Sequence, residues 1–234
     1  MCAVSSRSQC VGRAVSFARW AAIRRDMLCI PKANHKKLVD DCYPTSKALV
    51  NAAPEYRPNA NELGRLVYYA QCKPAKLSKV GRLLMTRASS ESRAFMAANT
   101  EKNKALVMIT LGVLRDLVSS CQEGHAYLAP AVRSMLTDAV NVAAPTGSAM
   151  TSWDMDICAR ASSIFAMYVQ SIPAGEVDTD DAVSSAVFQG LSDLQRLGKG
   201  HASDQSRMIW IAGINGLIRS PVLMTPLFPR FLPL

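Results

Sequence analysis

The feature that most constrains this chain is a series of helical apolar stripes separated by proline and glycine. In one segment after another, apolar residues recur every three or four positions, which is the spacing of one face of an α-helix. Such stripes include Leu63, Leu66, Val67 and Ala70; Leu106, Ile109, Val113, Leu117 and Cys121; and Val183, Val187, Leu191 and Leu194. The sequence shows no alternating strand pattern and no hairpin signal. It therefore predicts an all-α fold.

Start and stop signals divide the chain into a succession of helices. They predict helices over residues 35–42, 62–72, 127–143, 154–172 and 180–197, the last with Gly198 as its stop. Three further helices are predicted from their start signals: one that begins at Pro74, one from the N-cap Thr100 to a stop at Gly124, and one from the N-cap Ser203 to Pro221. Helix pairs recurring at roughly 40-residue spacing are what armadillo and HEAT solenoids need. We therefore expect an armadillo/HEAT-like helical-repeat solenoid. A compact helical bundle is the alternative, because no repeat is visible in the sequence itself.

Positive charge is concentrated at one end of the chain. Residues 1–100 contain seventeen Lys/Arg against six Asp/Glu, whereas residues 101–234 contain ten against twelve. The net charges are thus +11 and −2. A basic end on a nearly neutral body indicates a docking end for an anionic surface rather than uniform nucleic-acid binding, although ordinary solvated side chains are the simpler interpretation. Since no run of eighteen apolar residues occurs, we expect any membrane contact to be peripheral or lipid-anchored.

Motifs for chemistry are missing from the sequence. It contains no GxSxG elbow, Walker loop, HExxH or GxGxxG motif, and its seven cysteines have neither CxxC spacing nor an adjoining His pair. We predict no enzyme activity, cofactor or metal, and buried thiols at Cys42, Cys121 and Cys158. His125, in a turn after Gly124, is expected to have a surface or capping role.

One short segment resembles a phosphate-binding loop. It runs from Gly198 through Lys199 and Gly200 to Asp204. It follows a helix rather than a strand, and a C-cap at Gly198 with an N-cap at Ser203 explains its composition. Asp178, Asp180 and Asp181 are likewise interpreted as acids favoured by the start of a helix rather than as metal ligands.

The first 26 residues differ from the rest of the chain. They are rich in Arg, Ser and Ala, and their first acidic residue is Asp26. This composition is typical of a mitochondrial transit peptide or an interfacial amphipathic helix. A third interpretation is an upstream extension of the reading frame, with Met27 as the working start. The sequence leaves all three open.

Three blocks of residues together resemble one known family. They are His35-Lys36-Lys37-Leu38-Val39-Asp40-Asp41-Cys42-Tyr43-Pro44, the pair Glu62–Ala70 and Pro74–Gly81, and Ser206–Gly216. The first block resembles the opening helix of the Eighty-five-requiring/Rolling blackout family. The second block resembles the "L-x-Y-Y-A … P-x-K-L-x-K-V/I-G" stretch of that family, and the third block resembles one of its later helices. The resemblance extends from about Met27 to Ser220.

The resemblance implies a peripheral plasma-membrane scaffold on the cytoplasmic face. Members are helical-repeat rods that recruit a type III phosphatidylinositol 4-kinase through a tetratricopeptide-repeat adaptor, and they bind anionic phospholipids through basic residues, palmitoylated cysteines or both. The resemblance assigns membrane binding to Lys32, His35, Lys36 and Lys37, and lipidation to Cys29 if Met27 is the start. We add Lys47 to the membrane-binding residues as a nearby basic side chain. Two other functions stay open, a nucleic-acid-binding helical repeat and a mitochondrial matrix enzyme with residues 1–25 as transit peptide.

We therefore expect three parts along the chain. Residues 1–26 form the basic leader, 27–220 the helical-repeat domain as the N-terminal part of a longer rod, and 221–234 a truncated apolar tail. Prolines at 226, 229 and 233 prevent a regular capping helix there. We expect residues 203–234 to expose an apolar end that the next repeat covers in full-length relatives, whose adaptor-binding tail this chain lacks.

Overall fold

The predicted helices are present, and no β-strand occurs among the residues that the structure describes. The computed structural model describes residues 34–45, 55–143, 151–173, 180–200 and 204–221. The chain separates into two units, residues 1–34 and 35–234. All described residues except Asn34 lie in the second unit. The predicted leader, residues 1–26, lies outside the described residues.

Eight α-helices follow one another in the described part of the second unit. Their bounds are α1 His35–Asp41, α2 Ala60–Cys72, α3 Pro74–Ala97, α4 Glu101–Ser120, α5 His125–Ala143, α6 Ser152–Ser171, α7 Asp181–Gly200 and α8 Asp204–Ile218. A 3₁₀ turn, Gln122–Gly124, joins α4 to α5.

The helices pack in two layers, as in a helical-repeat solenoid. In one layer α1 contacts α3, α3 contacts α5, and α5 contacts α7. In the other layer, α2 contacts α4, α4 contacts α6, and α6 contacts α8. Successive helices pair across the layers, α1 with α2, α3 with α4, α5 with α6 and α7 with α8. Because every helix packs on the equivalent helix of the next pair, the prediction of a solenoid is confirmed.

The core is formed by the apolar stripes that the sequence showed. Leu66, Ile109, Leu117 and Phe165 are fully buried, and so is Tyr168, whose hydroxyl donates to the His125 carbonyl oxygen at 3.3 Å. Helix α4 is buried over most of its circumference because it contacts α2, α3 and α6. Burial of each large side chain of this kind stabilises the fold by about 2 kcal/mol.

Polar side chains fix the starts of three helices. The Thr100 hydroxyl accepts a hydrogen bond from the backbone N–H of Asn103 at 3.3 Å, which confirms its predicted N-cap role. Thr151 and Asp154 form a reciprocal capping box at the start of α6. The Asp180 carboxylate accepts from the second and third backbone N–H groups after it. The predicted cap Ser203 lies outside the described residues.

Both predicted glycine stops are wrong. Helix α4 ends at Ser120, before Gly124, and α7 continues through Gly198 to Gly200. The absence of a side chain at these positions serves packing instead. A Cβ on Gly198 would lie 2.8 Å from Cγ of Trp210, and one on Gly124 would overlap the side chain of Leu77. The two glycines therefore admit large neighbours rather than end helices.

The last described helix exposes apolar side chains. Met208, Ile211 and Ile218 on α8 are 65%, 45% and 59% exposed. These values agree with the expected apolar end. Residues 222–234 lie outside the described part, so the rest of that expectation stays a prediction.

Two glycines give a matched test of the packing. On α8, a Cβ on Gly216 would overlap Cβ of Ala166 and lie 3.0 Å from its Cα on α6, whereas a Cβ on Gly64 of α2 would meet nothing within 4 Å. We expect Gly216→Ala to lower the free energy of unfolding by about 1–3 kcal/mol, because the two backbones must separate. Gly64→Ala should raise it by about 1 kcal/mol through helix propensity.

Chemical denaturation of the two variants and the parent measures both effects. Equal stability of Gly216→Ala and the parent would show that α6 and α8 do not approach each other closely.

Candidate functional site

The short helix α1 carries those predicted binding residues that fall in the described part of the chain. Lys36 and Lys37 are exposed on its first turn, and His35 beside them is half-buried. The other predicted binding residues lie outside the described part: Cys29, Lys32 and Lys47. The structure thus brings three of the six residues together on one turn.

Burial of one face holds α1 on the solenoid. A helix of seven residues is too short to be stable alone. Leu38, Val39 and Cys42 are buried, and α1 contacts α2 and α3. The Cys42 thiol donates to the Leu38 carbonyl oxygen at 3.2 Å, and the Cys42 carbonyl accepts from the backbone N–H of Asn59 at 2.8 Å. The predicted apolar face of α1 is therefore present, with His35 at its edge.

Five polar or charged side chains join α1 to α3 and α4. We call them the Arg87 cluster: Asp40, Tyr43, Arg87, Glu91 and Thr110. Arg87 on α3 forms an ion pair with Asp40 through Nη1, and a second with Glu91 through Nε at 3.1 Å. Its Cζ also lies 3.7 Å from the centre of the Tyr43 ring. One guanidinium thus binds the end of α1 to α3 by charge and by a cation–π contact.

Hydroxyl groups complete the Arg87 cluster. The hydroxyls of Tyr43 and Thr110 are hydrogen-bonded, and Thr110 on α4 donates to the Glu91 carboxylate. Burial raises the pKa of Glu91 to about 7, against the opposing effects of Thr110 and Arg87. Burial also raises the pKa of Tyr43, so this hydroxyl stays protonated and can donate. Glu91 is therefore the member of the cluster whose charge changes near neutral pH.

The Arg87 cluster could not be predicted from the sequence alone. Its bonded pairs that join different helices are 19 to 67 positions apart, and the bonded pair Arg87–Glu91 within α3 is four apart. That spacing was an available signal, because residues four apart lie on one helix face. The position of Tyr43 within the family-like first block was a second. Neither signal says which helix the side chains face.

Buried groups elsewhere have structural surroundings. The prediction of a surface or capping role for His125 is wrong, since it begins α5 and is buried with its ring edge-on to Tyr168 at 6.0 Å. Burial lowers its pKa. The predicted buried thiols are confirmed, and burial raises the pKa of Cys121 to about 11 and of Cys158 to about 12. Such thiols are poor nucleophiles at neutral pH.

The described residues offer neither a metal site nor a membrane-spanning helix. No group of three His, Cys, Asp or Glu side chains there is placed to hold a metal ion. No helix in that part of the chain is both long and apolar enough to cross a membrane.

The Arg87 cluster should make stability depend on pH. Folded Glu91 keeps its proton up to about pH 7, while its ordinary pKa is 4.5, so the folded state binds more protons between these values. Stability must then fall as pH rises through this interval, by up to about 3 kcal/mol. Glu91→Gln should remove this slope of stability against pH, because the amide cannot titrate. Urea unfolding of the parent and the variant at pH 5 to 8 measures the slope.

A second carboxylate variant controls for the change of charge. Glu62 on α2 forms an i,i+3 ion pair with Arg65 at 2.8 Å on the surface. Glu62→Gln should keep the slope of the parent. Parallel slopes for the parent and Glu91→Gln would show that Glu91 does not titrate in this range.

Comparison with known proteins points to one family. A family model described as EFR3 protein matches residues 34–139, from the start of α1 into α5. No solved structure matches this chain.

Curated relatives agree with the family model. Protein EFR3 of Mycosarcoma maydis is 38% identical over 226 residues, which are 88% of this chain and 21% of that relative. Protein EFR3 of Cryptococcus neoformans is 30% identical over 202 residues, or 81% of this chain and 20% of that relative. Protein EFR3 of Yarrowia lipolytica is 29% identical over 141 residues, or 60% of this chain and 14% of that relative. The chain spans about a fifth of the length of the first two relatives, and the matches together show that it belongs to the EFR3 family.

Proposed function

We propose that this chain is part of a non-enzymatic peripheral membrane scaffold whose basic N-terminal end binds the anionic inner face of the plasma membrane. The observation that carries the proposal is the exposure of Lys36 and Lys37 on a helix that the Arg87 cluster fixes to the solenoid. A cation near an anionic lipid surface contributes about 1 kcal/mol, so several are needed. Lys32 and Lys47, close in sequence, supply further charge, with His35 at the edge of the patch.

The ion pair between Arg87 and Asp40 favours membrane binding through α1. The helix also carries two acids, Asp40 and Asp41, which would repel an anionic surface. The guanidinium of Arg87 neutralises Asp40, and Asp41 is only partly exposed. Pairing with Arg87 therefore reduces the repulsion that Asp40 would exert on an anionic surface.

Kinase recruitment belongs to the proposal for the full-length protein. The family resemblance implies that full-length members recruit a type III phosphatidylinositol 4-kinase, through a tetratricopeptide-repeat adaptor, to make phosphatidylinositol 4-phosphate. This chain spans about a fifth of the first curated relative, and we propose that it contributes the membrane-binding part of such a scaffold. Lipid binding can be tested on this chain alone.

Removing the lysines should weaken lipid binding. We expect Lys32→Ala, Lys36→Ala and Lys37→Ala together to weaken binding to phosphatidylserine vesicles by about 3 kcal/mol, on the order of a hundredfold. Binding by the parent should also weaken with added salt, because ions screen surface charges. Vesicle co-sedimentation at two salt concentrations measures both effects.

A matched triple variant removes the same charge elsewhere. Arg133, Lys199 and Arg207 are exposed on α5, α7 and α8. Changing these three to Ala should leave vesicle binding within about twofold of the parent. Equal losses in the two triple variants would mean that net charge alone drives binding. Binding to duplex DNA that exceeds binding to vesicles would favour the nucleic-acid alternative.

Cys29 should carry a thioester-linked acyl chain. One acyl chain holds a protein on a membrane only weakly, so the adjacent lysines would supply the second signal. We expect hydroxylamine-sensitive palmitate on Cys29 in cells when translation starts at Met27, and a shift of Cys29→Ser into the soluble fraction. Acyl–biotin exchange and cell fractionation measure these effects.

The exposed Cys72 on α2 provides the control. Cys72→Ser should leave both the acyl signal and the membrane fraction unchanged. An unchanged membrane fraction for Cys29→Ser would mean that electrostatic attraction suffices.

A further inference from the structure

A groove between α4 and α6 contains two arginines that the proposed function does not use. It has a volume of about 390 Å³. Arg115 of α4 and Asp156, Arg160 and Ser163 of α6 supply its polar lining. Neither Lys36 nor Lys37 lines it. The groove therefore has a charged lining of its own, separate from the basic turn of α1.

Arg160 directs its guanidinium at backbone oxygens rather than at a carboxylate. Its Nη1 donates to the carbonyl oxygens of Glu55 and Met108 at 3.3 and 3.4 Å, and its Nη2 donates to the Glu55 carbonyl at 3.3 Å. Among the described residues it forms no ion pair. These contacts fix the plane of the guanidinium but leave its full positive charge in a half-buried position.

Arg115 adds a second positive charge on the opposite wall. Its Nε donates to the neighbouring Asp116 at 2.8 Å, and its two terminal nitrogens have no partner in the described part of the chain. The pKa of Arg160 is lowered first by burial and then by the positive charge of Arg115, against the opposing effects of the Asp156 and Glu55 carboxylates. The two guanidiniums are thus close enough to repel each other.

Nearby carboxylates cancel these two charges only in part, because each of them also has another partner. Asp156, the acid that lines the groove, forms an ion pair with Nζ of the buried Lys104. The side chain of Glu55 forms an ion pair with Arg57 at 2.6 Å. Asp116 engages Arg115 through Nε only, so the outer edge of that guanidinium is available to a ligand.

We propose that the groove between α4 and α6 binds a phosphate-bearing ligand held by the guanidiniums of Arg115 and Arg160. Guanidinium forks match the oxygens of a phosphate group and bind it more strongly than neutral donors do. The Ser163 hydroxyl lines the groove from α6, the same wall as Arg160, and is available as a further donor. A volume of this size is within the usual range for small-molecule sites, so it admits a phosphorylated polyol as well as inorganic phosphate.

A second groove shows how a lipid could supply the phosphate. It lies between α6 and α8, has a volume of about 310 Å³, and is lined by apolar side chains including Met208, Ile209 and Ala212. Ala159 and Ser163 line both grooves. A phospholipid could therefore place its headgroup by the arginines and apolar carbons beside Met208, whereas a soluble phosphate ester would use the first groove alone.

Titration calorimetry on the whole chain tests the site with defined probes. The soluble probes are inorganic phosphate and inositol 1,4,5-trisphosphate, and the lipid probe is phosphatidylcholine vesicles with or without phosphatidylinositol 4-phosphate. We expect Arg115→Gln to weaken binding of the trisphosphate at least tenfold while leaving the melting temperature unchanged, because within the described residues Arg115 bonds only to its neighbour Asp116. Arg160→Lys, which keeps the charge and loses the fork, should also weaken it.

Arg207→Gln on α8 is the matched control, because Arg207 is also an exposed arginine paired with a nearby acid, Asp204. It should bind the probes as the parent does. Equal weakening by Arg207→Gln and Arg115→Gln, or no binding of any probe to the parent, would overturn the proposal. If binding of the soluble trisphosphate depends on Arg115, a free phosphate ester is sufficient as the ligand. If the vesicles bind in an Arg115-dependent way and the trisphosphate does not bind, the ligand is a lipid. Loss of vesicle binding in the lysine triple variant with retained trisphosphate binding would separate this site from the one on α1.

Discussion

Each helix of this chain has an apolar stripe that it cannot cover alone, and the rest of the structure depends on that constraint. The odd-numbered helices cover one another in one layer and the even-numbered helices in the other, so α4 and α5 have neighbours on several sides. Helix α1 has seven residues and buries only a few apolar side chains. Apolar burial therefore stabilises the middle of the series more strongly than α1, which gains additional polar contacts to α3 and α4.

Those polar contacts position α1 more clearly than they stabilise it. Removing an arginine and a carboxylate from water costs several kcal/mol, which their attraction offsets only when the geometry is good and the remaining hydrogen bonds are made. In the Arg87 cluster these bonds are made, because Thr110 satisfies one oxygen of Glu91 and Arg87 the other. Apolar contacts would let α1 slide or rotate on α3. Directional bonds to Asp40 and Tyr43 define one orientation, and that orientation leaves Lys36 and Lys37 exposed.

The sequence predicted what depends on local pattern and failed where distant residues decide. Helical spacing and caps such as Thr100 located the helices, because both are properties of neighbouring positions. Local pattern predicts a stop at Gly198, and only the packing of Trp210 against it shows why a glycine stands inside a helix. The position of His125 after Gly124 predicts a surface or capping role, whereas its burial depends on Tyr168, 43 residues away. The exposed basic turn of α1 could be predicted, whereas the Arg87 cluster and the Arg115–Arg160 groove could not.

Two kinds of positive site differ here in how their charge is held. Lysines on an exposed helical turn are flexible, strongly hydrated point charges, which suit a fluid anionic surface without fixed geometry. The guanidinium of Arg160 is instead held by backbone carbonyls, and Lys104 neutralises the acid beside it. A charge that is held before its ligand arrives loses little conformational freedom on binding, so it can discriminate between shapes of anion. The solenoid provides both, because an exposed helix face carries one and the crevice between successive helices of a layer forms the other.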